Sequence, residues 1–383
     1  IPYKRKELTE DELELRARIP IYGELSEEQA HRIMGGICCK QDIFLKKAGT
    51  RVAGSVKGAG IVARFNFKDE WKDSDKPIYT RDWQRTPEQQ ESIRQHTMEL
   101  LKLGFIRKID SGCPHNSPVF TVKKPPDENG KRKWRVVQDL RKLNERLVPD
   151  REPAPTCEEA LSIFSGQTYL ASLDLCKMFH QIPLHPDSQP FTAYHCPALG
   201  VYAWRVLPMG SACSPSVAMR CMRSILSPVL AMGQGKWSTL FVDDIGLAAR
   251  TFPDFLKRLW LTLDLLRAGG CFLSRKKAVL GTRKLQFLGH MVTGSSLSIP
   301  PTHNSVIAKY PTPRSCKDVQ KWMGLVSYWR KFIRGLSERS RNLRALTKKD
   351  ATFVWRGDKE QAEFDSLKKT LMSATFLEHP RLR

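Results

Sequence analysis

The stretch Ser238–Arg250, STLFVDDIGLAAR, sets two adjacent aspartates, Asp243 and Asp244, between two apolar runs that read as β-strands. Like charges side by side repel, and burying either one costs free energy. Taken alone, the pair reads as a solvated turn, where Asp is favoured for its local hydrogen bonding. If the flanks are strands, the stretch is a hairpin, and the fold is built around whatever packs beside it. The meaning of the tip therefore depends on what the rest of the chain brings to it.

The chain has 383 residues, enough for two to four subdomains, with 63 Lys+Arg against 40 Asp+Glu and a net charge of +23. A chain this basic is expected to meet a polyanion, with nucleic acid the first candidate. A membrane surface is the second, but no apolar run approaches a spanning length and no signal peptide is evident. The first residue is Ile, which suggests a piece of something longer. Ten cysteines are scattered without a Cys-x-x-Cys pair, so they read as reduced thiols in an intracellular protein with no zinc site.

Helix-start signals stand at Thr9 and Ser26, each before an acidic first turn. The glycines of TRVAGSVKGAGIVARF do not fit a phosphate-loop spacing, and the stretch reads as strand and turn. From Pro87 a helix runs to Gly104. Two alternating strands then flank Asn129-Gly130, a hairpin whose tip carries Lys123, Lys124, Lys131, Arg132, Lys133 and Arg135. On charge alone this is equally a solvated basic hairpin. TYLASLD is a strand ending at Asp174, followed by a short helix; another helix opens near Ser214-Pro215. FPDFLKRLWLTLDLLRAGG is an amphipathic helix closed by Gly269-Gly270, and CFLSRKKAVL and KLQFLGHMVT read as one strand each. After Ile299 the chain changes to three helices with basic faces, a small separate subdomain.

Between Asp174 and Asp244 helix and strand alternate irregularly, which predicts a mixed sheet with helices packed on one face. If the strand ending at Asp174 neighbours the Asp243-Asp244 hairpin, three carboxylates meet at one sheet end. Such a cluster needs cations, and hard divalent ions with oxygen ligands fit, Mg²⁺ above all. Two such ions about 4 Å apart serve in-line displacement at phosphorus. Asp174 by itself reads equally well as a helix N-cap.

Six motifs in order, from about Tyr79 to the end, resemble reverse transcriptases of LTR retroelements, Ty3/gypsy-like and related to the retroviral enzymes. SPVFTVKK…WRVVQDLRKLN resembles their fingers hairpin, SLDLCKMFHQIPLHP the first palm carboxylate motif, and TAYHCPALGVYAWRVLPMGSACSPSVAMRCM the template-contacting motif. FVDD is similar to the Tyr-x-Asp-Asp box, KKAVLGTRKLQFLGH to the lysine-bearing strand and primer grip, and PTPRSCKDVQKWMGLVSYWRKFI to the thumb.

The resemblance implies an α+β right-hand polymerase with a mixed or antiparallel palm sheet. Its parts would be an N-terminal extension at 1–85, fingers at 86–150 with part of 185–210, palm at 151–290 and helical thumb at 291–350. Residues 351–383 would end the thumb or start a connection, with no ribonuclease H domain. It implies an RNA-directed DNA polymerase from a retroelement polyprotein, acting in the cytoplasm within retroelement particles, with two Mg²⁺ (Mn²⁺ as substitute). RNA template, DNA or RNA primer, RNA–DNA hybrid and dNTPs would be its partners, with no membrane and an undetermined oligomeric state.

Residue by residue, Asp174, Asp243 and Asp244, with Leu175, would form the metal set. Lys277 would protonate the leaving pyrophosphate, with Lys276 its rival. Lys124 and Arg135 would hold the triphosphate, beside the amides of Lys177 and Met178. Phe179 would exclude a 2′-hydroxyl, although a core Phe is the plainer reading. Met209 and Gly210 would face the nucleotide and template, and Leu288, Gly289 and His290 would grip the primer. Trp322 and Trp329 would lie along the duplex minor groove or pack a helical core. Phe241 departs from the usual Tyr, Met209 from the usual Gln or Phe, and residues 1–78 match no motif. An RNA-dependent RNA polymerase and a non-catalytic nucleic-acid-binding subunit are the competing readings; Phe179 argues against the first and the intact carboxylates against the second.

Overall fold

The computed structural model describes residues 10, 14, 25–57, 61–72, 76–123, 134–373 and 377–378. Thr9, Lys124 and the Asn129-Gly130 turn, with Lys131, Arg132 and Lys133, lie outside the described residues. The chain forms two compact units, residues 1–163 with 169–282, and residues 164–168 with 283–383.

In the first unit, α1 (Glu27–Cys38) opens with a capping box in which the Ser26 hydroxyl accepts from the Gln29 N–H and the Gln29 side chain returns the bond. The two-residue β1 (Phe44–Leu45) follows. Helix α2 (Pro87–Lys102) starts from a second capping box, Thr86 with Gln89, and Pro87 suits its first turn. Next come β2 (Ile106–Lys108), β3 (Val119–Lys123), β4 (Trp134–Gln138), α3 (Arg141–Arg146), α4 (Cys157–Ser162), β5 (Tyr169–Asp174), β6 (Tyr194–Cys196) and β7 (Gly200–Trp204). The unit continues through α5 (Ser214–Leu230), β8 (Ser238–Phe241), β9 (Asp244–Ala249), α6 (Phe252–Ala268), β10 (Leu273–Ser274) and β11 (Val279–Thr282).

Its central sheet runs in the order β11-β5-β9-β8, antiparallel throughout. β5 and β9 are almost wholly buried, as their continuous apolar runs predict for strands covered on both faces. Helices α5 and α6 pack on this sheet. Leu256, Leu259, Leu263 and Leu266 of α6 are buried at three- and four-residue steps, each contributing about 1.5–3 kcal/mol of apolar transfer. β3 and β4 pair in full register as the expected hairpin, Val122 opposite Arg135.

Two readings are corrected here. CFLSRKKAVL is not one strand: β10 ends at Ser274 and β11 begins at Val279, with a turn between. The helix after Asp174 is a single 3₁₀ turn, Met178–Gln181, so Asp174 caps no α-helix and is the last residue of β5. Residues 25–57 also join the first unit closely, with β1 pairing parallel to β10.

The second unit has β12 (Lys284–Phe287), β13 (His290–Thr293) and β14 (Ser296–Ser298), then α7 (Pro301–Ala308), α8 (Cys316–Tyr328), α9 (Leu336–Arg339), α10 (Arg341–Ala345), α11 (Ala362–Ser373) and β15 (Leu377–Glu378). KLQFLGHMVT is therefore a hairpin rather than one strand, because Leu288-Gly289 turns the chain between paired Phe287 and His290. The second of the three expected helices is broken in two, α9 and α10, and the third begins with a π-turn at Gly357–Gln361. Among the described residues no helix is long and apolar enough to cross a membrane.

Candidate active site

The FVDD tip is a two-residue hairpin loop. Phe241 pairs with Asp244, leaving Val242 and Asp243 between β8 and β9. Val242 holds φ of 54°, the left-handed region, where a β-branched residue is a true outlier. Such a position stores about 1–3 kcal/mol and persists only when its surroundings impose it. Val242 packs against the hydrophobic core, which supplies that constraint and removes the solvated-turn reading.

β5 delivers the third carboxylate. Asp174 stands directly opposite Asp244 in the ladder, and the Leu175 N–H donates to the Asp243 carbonyl at 3.2 Å. Three carboxylates thus share one sheet end. Burial pushes the Asp174 carboxyl up from its ordinary value; a hydrogen bond and ion pair from Lys277 oppose this, and the Asp243 charge adds to it. Asp244 is pushed up to about 6, first by burial, then by the charges of Asp243 and Asp174. The Lys277 ammonium donates to Asp174 Oδ2 at 2.8 Å, and this bond raises its own pKa. Of the two rival lysines, Lys277 is the one seen to reach the carboxylates.

Three carboxylates facing one ammonium leave surplus negative charge, and an all-oxygen donor set suits a hard divalent cation. Burial is the main reason Asp174 and Asp244 are raised, and the neighbouring carboxylate charges add to it. Among the described residues no three His, Cys, Asp or Glu side chains form a ready-made metal cage. Leu175 is apolar and buried, so only its carbonyl could serve a cation.

After Asp174 the chain turns sharply at Lys177, whose φ of 55° is again left-handed. The Lys177 side chain is exposed, the Met178 side chain is buried, and Phe179 is half-buried against the core. Arg135 lies exposed on β4. Met209 is exposed, and Gly210 takes φ of 97°, which a side chain would strain.

Asn144 was missed by sequence reasoning. Its side chain donates to the Gly210 carbonyl at 2.9 Å and accepts from the Ala212 N–H at 2.8 Å, fastening this loop to α3. The available signal was an Asn inside a helix, where its side chain competes for backbone and is disfavoured without another task.

In the second unit, Leu288 and Gly289 form the β12–β13 turn with φ of 43° and 70°. The Tyr328 hydroxyl donates to the Leu288 carbonyl at 3.1 Å, and a Cβ at Gly289 would meet that hydroxyl at 2.5 Å. His290 packs inward against Trp329 and Phe332, and burial lowers its pKa from the ordinary imidazole value. Trp322 and Trp329 are fully buried, Trp322 against Tyr310 and Phe364. Core packing, not a minor-groove surface, is their observed place.

The family described as reverse transcriptase (RNA-dependent DNA polymerase) matches residues 122–292, a span that includes all three carboxylates and Lys277. Residues 122–292 carry a reverse transcriptase domain. The chain is 31% identical over 304 residues to the retrovirus-related Pol polyprotein from transposon 297 of Drosophila melanogaster, covering 79% of this chain and 28% of that protein. It is 31% identical over 346 residues to the Gag-Pol polyprotein of gibbon ape leukemia virus, covering 89% and 20%. It thus spans less than a third of either relative. The fold resembles a foamy viral protease-reverse transcriptase solved in complex with RNA/DNA hybrid, at TM-score 0.79 and 23% identity, over 98% of this chain and 49% of that one. Reverse transcriptases use divalent metal, in keeping with the charge surplus at this sheet end.

Proposed function

We propose that the chain is an RNA-directed DNA polymerase that extends a primer with dNTPs on an RNA or DNA template. The observation that carries this is the meeting of Asp174, Asp243, Asp244 and Lys277 at one end of the β11-β5-β9-β8 sheet. The reverse transcriptase family match and the net charge of +23 support it. The complex of the similar foamy viral protein with RNA/DNA hybrid supports template–primer as the partner.

In this reading Asp174, Asp243, Asp244 and the Leu175 carbonyl would hold two Mg²⁺, and the chemistry such ions would supply is charge neutralisation and a lowered pKa for the primer hydroxyl. Arg135 and Lys124 bind the triphosphate, and Lys177 and Met178 offer main-chain amides beside it. Phe179 shapes the sugar site so that a 2′-hydroxyl clashes. Lys277 gives its proton to the departing pyrophosphate. Met209 and Gly210 present backbone close to the nascent pair, and the Leu288–His290 turn holds the primer end. Residues 86–150 then act as fingers, 151–290 as palm and the helices beyond as thumb.

The test is primer extension on matched RNA and DNA templates with deoxy- and ribonucleotides, in Mg²⁺, Mn²⁺ or chelator. Extension by dNTPs on RNA, lost in chelator and in Asp243→Asn with template–primer binding retained, is the expected result. Extension that survives Asp243→Asn would sink the assignment.

A further inference from the structure

Gln181 is buried to 1% exposure, yet no part of the proposed chemistry uses it. Its carboxamide makes three hydrogen bonds, all to backbone. Nε2 donates to the Cys176 carbonyl at 2.7 Å and to the Phe272 carbonyl at 2.9 Å, and Oε1 accepts from the Phe272 N–H at 2.8 Å. The Cys176 N–H donates to the same Phe272 carbonyl at 2.9 Å, and Leu175 bridges Leu273.

The two segments joined here carry different parts of the site. One is the tight turn from Asp174 to Phe179. The other leads through Ser274, whose carbonyl accepts from the Lys277 N–H at 3.3 Å, to the lysine that bonds Asp174. Residues 44–57 brace the same junction from a second direction. The Val56 N–H donates to the Gln181 carbonyl at 2.9 Å, the Gly54 N–H to the His180 carbonyl at 3.0 Å, and the Arg275 N–H to the Leu45 carbonyl at 3.0 Å.

We infer that Gln181 is a positioning residue for nucleotide selection: its carboxamide pins the Asp174–Phe179 turn to the segment bearing Lys277. The inference rests on the polymerase reading above. A buried amide is costly unless its bonds are made, and an apolar side chain of equal volume would fill the space without that cost. Gln supplies fixed spacing instead. Its donor pair and single acceptor match two carbonyls and one N–H, and a shift of either segment would break a bond. Displacements of about 1 Å in a supporting group are enough to damage positioning at a reacting centre.

The test compares wild type with Gln181→Met, which keeps volume and loses all three bonds, and Gln181→Asn, which keeps the amide but shortens its reach. Primer extension is normalised to active sites by titration, and KM for dNTP, kcat, template–primer Kd and the deoxy-to-ribonucleotide preference are measured. The expected result is a KM for dNTP raised at least tenfold and a weakened sugar preference, with Kd for template–primer within twofold. If Gln181→Met does not fold, Gln181→Asn carries the same measurement. A KM and sugar preference at wild-type values in a folded variant, with only thermal stability reduced, would overturn the inference and leave the polymerase intact. A wild type that extends no primer removes the polymerase reading and this inference together.

Discussion

Asp244→Asn should stabilise the cation-free protein while destroying its activity, and the two effects together test the electrostatic account. Asp244 ionises at about 6 in the fold against 3.8 for an ordinary aspartate. Its folded value is raised, so its contribution is fully favourable below about pH 4 and is lost as pH climbs through 6. Above that, keeping Asp244 ionised in the fold opposes stability. Each pH unit between the two values corresponds to about 1.4 kcal/mol, which sets an upper bound of about 3 kcal/mol. Partial solvent exposure reduces this to about 1–2 kcal/mol. Asn keeps the shape and removes the charge. Thermal unfolding in chelator at pH 8 should place Asp244→Asn a few degrees above wild type, and at pH 4 the two should melt together. Adding Mg²⁺ at pH 8 should raise wild type more than the variant. An Asp244→Asn protein no more stable than wild type at pH 8 would refute the claim that burial, with the neighbouring carboxylates, opposes ionisation of Asp244.

Two further outcomes are expected. Phe179→Ala should raise ribonucleotide use relative to dNTP at least tenfold, about 1.4 kcal/mol of discrimination, read from competing single-nucleotide extensions; an unchanged ratio removes Phe179 from sugar selection. Trp322→Ala should lower unfolding free energy by about 3–5 kcal/mol in urea titration, because a fully buried indole leaves a cavity between Tyr310 and Phe364; a loss of template–primer affinity with no change in the urea midpoint would return it to the duplex surface.

The carboxylate cluster was legible because its strands carry unbroken apolar runs and its charges fall at their ends, a conflict that only a site resolves. The choice between Lys276 and Lys277 was not, since both lie in a turn whose path depends on β10 pairing. The hairpin hidden in KLQFLGHMVT had a visible sign, Gly289 within an apolar run, which a longer strand reading overrode. Trp322, Val326 and Trp329 also stand at steps of four and three, a core stripe on one helix face, and the structure buries all three. The brace at residues 44–57 left no trace in sequence. Its work is done by backbone groups, and a two-residue strand has no periodicity to read.

The pairing of Lys277 with Asp174 places a constraint on how the proposed site can fill. The Lys277 side chain is 65% exposed while that of Asp174 is 11% exposed, so the ammonium is the solvent-facing partner and the carboxylate the enclosed one. One ammonium cannot serve both Asp174 and an incoming triphosphate at full strength. A nucleotide that draws Lys277 toward its phosphates leaves Asp174 half-compensated beside Asp243 and Asp244, in surroundings that already raise two of the three. Nucleotide bound without a cation would therefore meet repulsion it cannot relieve, whereas nucleotide arriving with divalent ions neutralises the cluster as it frees the lysine. The affinity for dNTP should accordingly fall sharply in chelator, and Lys277→Met, which removes the competing ammonium, should make Mg²⁺ bind the free protein more tightly than wild type does.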